Sequence, residues 1–165
     1  MDVVDAAGRL NPGAGAWLRE RAAAGMGVLG VGGEVRVRVV GDEEMAAAHE
    51  RYAGVAGTTD VLTFDLSEPG DRGEGRSVDA DILVCSDEAA RQAARRGHAV
   101  ERELLLYVIH GLLHCLGHDD HERDAALRMH AEEDRVLEAV GVGATYARGE
   151  GNPAVERGVT GEGGL

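Results

Sequence analysis

Lysine is absent from this chain: all 17 basic residues are arginine, set against 30 acids for a net charge of −13. Aromatic residues make up only 3%, so a core has to be built from Val, Leu, Ile and Ala. At 165 residues there is chain enough for one domain with such a core. No apolar run reaches the roughly 18 residues of a membrane span, and no basic-then-apolar amino-terminal stretch marks a secretory signal. Two cysteines, Cys85 and Cys115, are too few for a disulfide scaffold and suit a reducing compartment. These absences lead to the expectation of a cytoplasmic protein with no membrane partner. The acidic balance also opposes nucleic-acid binding, which ordinarily leaves a basic footprint.

What is present is concentrated in residues 110–121, His-Gly-Leu-Leu-His-Cys-Leu-Gly-His-Asp-Asp-His. Four imidazoles and two carboxylates follow an apolar run, Leu104 to Ile109. On a helix turning about 100° per residue, His110 and His114 stand one turn apart on one face, the spacing that chelates a single ion. Gly117 ends the helix and lets the chain reverse, which brings Asp120 or His121 round as a third ligand. Three protein ligands with a fourth position open is the catalytic pattern for zinc. A lone His-x-x-x-His pair on a helix is frequently incidental. Here the glycine break and the acidic turn follow it, and a buried helix has little reason to carry two uncompensated imidazoles. In His-Glu-x-x-His peptidases the residue after the first histidine is the general base. In this chain it is Gly111, which moves no proton.

The remaining chain reads as a first helix over residues 13–24 and a glycine-rich connection over 25–33. That connection lacks the Lys-Ser/Thr of a phosphate loop and is expected to be a turn. Val35, Val37 and Val39 alternate with Arg36 and Arg38, as in a half-exposed strand. Its arginines face solvent or, on an RNA-binding surface, phosphate. Asp42 is the expected cap of a helix to about Tyr52, and residues 60–66 and 78–85 are expected strands. Residues 67–77 form a polar, glycine-rich loop. Ser86 is the expected cap of a helix to about Arg96. Two further helices, about 100–116 and 122–140, follow, the first carrying the histidine pair. Residues 1–140 are thus one domain, with 141–165 a glycine-rich, disordered tail. The element order gives an α+β fold.

Residues 110–121 resemble the signature of the YbeY family, bacterial metal-dependent endoribonucleases of ribosomal RNA maturation. Residues 58–64, Thr-Thr-Asp-Val-Leu-Thr-Phe, are similar to the family's Pro-Thr-Asp-Val-Leu-Ser-Phe. Residues 79–85, Asp-Ala-Asp-Ile-Leu-Val-Cys, resemble its Gly-Asp-Ile-x-Ile strand. The resemblance runs from about Val35 to Leu137. It implies a small mixed sheet with helices around it and a central metal-binding helix. It also implies one zinc or other divalent transition metal per chain. The implied partners are a ribosomal RNA precursor and the small ribosomal subunit, with no DNA.

Carried over, the family's first two ligands fall on His110 and His114. Its third histidine falls six positions after the second, where this chain has Asp120, with His121 next. A bulge in the turn restores His121, and imidazole suits zinc better than a lone carboxylate. His121 is therefore the expected third ligand and Asp120 the alternative. The family carries an activity-associated arginine after a tyrosine. Here Tyr52 is followed by Ala53, and Arg51 is the candidate catalytic residue in its place. Three functions follow: a metal-dependent endoribonuclease, a ribosome-assembly factor with a structural metal, and, disfavoured by Gly111, a metallopeptidase.

Overall fold

Alternation of valine with charge builds the central sheet. In β2 (Gly32–Val40) Val35, Val37 and Val39 are at most 2% exposed, while Arg36 and Arg38 lie on the opposite face. The computed structural model, which describes residues 1–68 and 76–147, sets β2 between two parallel neighbours. These are β1 (Asp2–Asp5) and β4 (Ser77–Cys85); β3 (Val61–Asp65) runs antiparallel to β4, giving the order β1-β2-β4-β3. With five helices among the described residues beside this mixed sheet, the fold is α+β, as expected.

The first helix, α1 (Pro12–Leu29), opens on a proline after Asn11, whose side chain accepts from the Ala14 N–H at 2.9 Å. It runs through Gly25 and Gly27, where the composition points to a break. Packing explains the difference. A Cβ at residue 25 would lie 2.6 Å from Ile109 Cδ1, so glycine lets α1 close on α4 (Val100–Cys115). Glycine acts again on the far side of α4. At Gly111 a Cβ would meet Thr63 Oγ1 at 2.7 Å and Ile82 Cδ1 at 3.2 Å. Leu104 to Ile109 are at most 4% exposed, so α4 is apolar all round over that stretch. It packs against α1, α3 (Ser86–Arg96), α5 (Arg123–Ala139), β3 and β4, and α2 (Asp42–Ala53) lies on the opposite face of the sheet.

Several local expectations are corrected. The four-residue β1 was not expected at all; its register with β2 comes from a long-range pairing. Gly41, not Asp42, precedes α2, and the Asp42 carboxylate instead binds Arg91 at 2.7 and 2.8 Å. Arg91 holds that carboxyl well below its usual range, at about 2. Ser86 is the first residue of α3 and not its cap; its hydroxyl donates to the Val40 carbonyl at 2.9 Å. The arginine stripe is engaged by the chain's own acids: Arg36 binds Asp81 and Asp79 at 2.5 and 2.6 Å, and Arg38 binds Glu44 at 2.9 Å.

The folded body also extends beyond residue 140. The Asp134 carboxylate accepts from the N–H groups of Thr145, Tyr146 and Ala147, and Arg102 donates to the Gly143 and Ala144 carbonyls. The rest of the expected tail, 148–165, and residues 69–75 of the expected loop lie outside the described residues. No described helix is long and apolar enough to cross a membrane.

Candidate metal centre

The carboxyl end of α4 brings the histidines to the surface of the core. Gly117, at φ 90°, turns the chain back, and the His118 N–H bonds the Leu113 carbonyl at 3.0 Å. His110 and His114, one turn apart, present their rings edge to face, with centroids 4.5 Å apart. Each ring is tethered through Nδ1. His110 Nδ1 bonds the Glu133 carboxylate at 2.7 Å, and His114 Nδ1 bonds the His118 carbonyl at 3.0 Å. A carbonyl only accepts, so His114 carries its proton on Nδ1, and a carboxylate favours the same tautomer at His110. The two Nε2 lone pairs are then left facing each other 2.9 Å apart. Two such lone pairs repel unless a cation lies between them.

Asp120 closes the triangle. Its carboxylate oxygens stand 3.7 Å from His110 Nε2 and 3.9 Å from His114 Nε2. The 3.7 Å approach is made by Oδ2 and the 3.9 Å approach by Oδ1, and one ligand atom from each of the three residues lies within 4.8 Å of the others. Donors about 2.0–2.1 Å from a tetrahedral zinc stand about 3.3 Å apart, so the carboxylate has to turn inward to bring one oxygen onto such an ion. His110, His114 and Asp120 form one potential metal-holding group. Burial of the His110 ring works against protonation, but the Glu133 carboxylate outweighs it, and the net shift of its pKa is upward. Negative charge behind and beside this ring attracts a cation, whether a proton or a metal.

His121 takes another position. It is 83% exposed, pairs with Asp119, and lies 3.8 Å from the near oxygen of Asp120. With Asp119 and Asp120 it makes a second, fully exposed group. His118 serves through its backbone carbonyl, and Cys115 packs partly buried against the core. Arg51 is not brought to the histidines. Its guanidinium lies 5.4 Å from the Tyr52 ring centre, in a groove lined by Phe64, Asp81 and Leu83. Thr63 and Val61 point the other way, toward His110 and His114. Strand residues alternate between faces, so Arg51 and the histidine pair lie on opposite sides of the sheet.

Two cavities flank the trio. One, of about 390 Å³, runs along β3 past His110, His114 and Asp120. The other, of about 710 Å³, extends from His110 and Asp120 to Arg96, Glu103 and Tyr146. Asp60 lines both. The sequence reading passed over Glu133, although a signal for it existed. It interrupts the apolar stripe Met129, Val136 and Leu137 of α5 and is itself fully buried. An acid at a core position needs a partner, and His110 is that partner. Arg96 and Asp60 carried no such signal.

The family model of Endoribonuclease YbeY matches residues 16–141. A relative named Endoribonuclease YbeY from Anaeromyxobacter sp. (strain Fw109-5) is 44% identical over 139 residues, covering 83% of this chain and 70% of the relative. One of the same name from Mycobacterium tuberculosis (strain ATCC 25618 / H37Rv) is 40% identical over 111 residues, 64% of this chain and 63% of the relative. The chain therefore spans roughly two thirds of these relatives' lengths. The solution structure of a Thermotoga maritima protein is similar with a TM-score of 0.58 at 26% identity, over 93% of this chain and 94% of that one. On the extent of the family match and on these identities, the chain belongs to the YbeY family.

Proposed function

We propose that His110, His114 and Asp120 hold one zinc ion, and that this centre serves hydrolysis of single-stranded regions of a ribosomal RNA precursor. The activity is that of the family, endoribonucleolytic cleavage of phosphodiester bonds, in which the family depends on a metal. The observation that carries the ligand set is the pair of facing Nε2 atoms, 2.9 Å apart, with Asp120 as their third neighbour. Two nitrogens and one carboxylate oxygen suit zinc and leave a position for substrate or water. Such an ion supplies Lewis acidity toward a phosphoryl oxygen and toward water.

The chain's own residues do the rest. Glu133 and the His118 carbonyl fix the two rings so that both Nε2 atoms face the cavity. Gly111 takes no part in proton transfer. Asp60 lines both cavities beside His110, and we assign to it the role of accepting a proton from the attacking group. The partner is the small ribosomal subunit, in the cytoplasm, and DNA is not a substrate.

One set of observations favours the assembly-factor reading as runner-up. Arg36 and Arg38 are neutralised by the chain's own acids, and Arg51 lies across the sheet from the histidines. The test is metal analysis of the purified protein, paired with single-stranded RNA and casein cleavage assays. About one zinc per chain with RNA cleaved and casein intact is expected. A metal-loaded protein that cleaves neither leaves the assembly factor, and casein cleavage would restore the peptidase.

A further inference from the structure

The cavity of about 710 Å³ beside the histidines has acidic walls. Asp60, Glu88, Glu103 and Asp120 line it, and among the described residues Arg96 is the arginine that does. Arg96 is also built in. Its NH1 donates to Glu103 at 2.7 Å, and that side chain is only 1% exposed. Its guanidinium lies 5.5 Å from the centre of the Tyr146 ring, which stacks on His130 at 3.9 Å and 9°. The second Glu103 oxygen lies 3.1 Å from His98 Nε2 but outside hydrogen-bonding alignment, so Arg96 remains that carboxylate's bonded partner among the described residues. The Arg96 side chain is 30% exposed. A guanidinium has five N–H donors; Glu103 takes one and the Tyr146 hydroxyl draws on another, which leaves donors for a ligand.

We propose that Arg96 grips a phosphate of the RNA strand, in a subsite that receives the nucleotide neighbouring the one at the histidine centre. This rests on the ribonuclease reading of that centre. The arginines of β2 are paired with acids on the sheet face opposite the valine core, and Arg51 is across the sheet from the histidines as well. Arg96 shares a cavity with His110 and Asp120, and its guanidinium is held from behind by a buried carboxylate and from the side by a stacked ring. A fork fixed in this way loses little freedom on meeting a phosphate. The surrounding acids repel an RNA strand while the centre is metal-free, so phosphate binding at Arg96 requires the metal.

A purely structural role, with Arg96 as the counter-ion of buried Glu103, makes a different forecast. Arg96→Ala alone leaves that carboxylate unpaired and endangers folding. The informative variant is Arg96→Leu combined with Glu103→Leu, since an apolar pair often replaces a buried ion pair without loss of stability. Binding of a non-cleavable single-stranded RNA to the zinc-loaded protein is followed by fluorescence anisotropy across a salt series. Metal content and thermal melting are measured alongside.

The expected result is full metal content, with affinity lowered about ten- to a hundredfold, as for one lost charge-assisted contact. The log–log salt slope should become shallower by about 0.7, the single-strand coefficient for one phosphate. Arg96→Lys should keep the slope and lose part of the affinity, because it retains the charge without the fork. Wild-type affinity and slope in the metal-replete double variant overturn the inference and leave Arg96 a counter-ion. No RNA affinity in the zinc-loaded wild type overturns the ribonuclease reading, and this inference with it. RNA affinity unchanged by removing zinc overturns the charge argument.

Discussion

The two halves of the proposed metal site are held in opposite ways. The histidine pair stands on α4, a helix wedged between Ile109's contact with Gly25 on one side and Gly111's contact with Thr63 and Ile82 on the other. Each imidazole is further pinned by a second partner. The acidic turn has no such support. Asp119, Asp120 and His121 are exposed and bond mainly to one another. In the proposed site two ligands are fixed in advance by packing, and the third is selected by where a short reversal ends.

The largest effect is expected on the helix. His110→Ala or His114→Ala should reduce bound zinc from about one per chain to a small fraction, as measured by elemental analysis after dialysis. Full occupancy in either variant would mean that the pair is not the anchor.

The turn should separate its two candidates. Asp120→Ala is expected to weaken zinc binding at least about tenfold in a competition titration with a chromogenic chelator. His121→Ala should change it less than about threefold. The reverse ranking would return the third ligand to His121. Glu133→Gln tests the supporting layer: loss of the carboxylate behind His110 should cost about ten- to a hundredfold in zinc affinity. An unchanged affinity would reduce Glu133 to a packing residue. The smallest effects concern the backbone. Gly111→Ala should destabilise by about 1–3 kcal/mol through overpacking against β3 and β4, offset in part by alanine's helix propensity. Gly117→Ala should cost about 1 kcal/mol, because its φ of 90° disfavours a side chain. Urea denaturation of the metal-free proteins reads both, and a more stable Gly111→Ala variant would show that the helix has room to move.

The same contrast explains what the sequence made legible. Helical period alone places His110 beside His114, and strand alternation separates Val35, Val37 and Val39 from Arg36 and Arg38. Both are short-range periodicities that survive without knowledge of the fold. The turn after Gly117 has no period, so spacing and imidazole chemistry led to His121, while the chain's path puts Asp120 at the histidines. Gly25 looked like a break because glycine is a poor helix former, and it is instead the place where two helices touch. Gly143 and Ala144 looked like tail, although Arg102 binds their carbonyls from a distant helix. Arg51 was close to the right motif in sequence and on the wrong face of the sheet in space. At Gly25, Gly143, Ala144 and Arg51 the missing information is a long-range contact; at Asp120 it is the path of an aperiodic turn.

Gly111 limits what this scaffold can become. A glutamate there, the single change that would spell His-Glu-x-x-His, needs a Cβ where Thr63 Oγ1 lies 2.7 Å away and Ile82 3.2 Å away. The helix would have to part from the sheet to admit it, and parting them would move the histidines whose service the glutamate is meant to join. The thickness of the contact between two layers thus closes a route to peptide hydrolysis that one codon change appears to open.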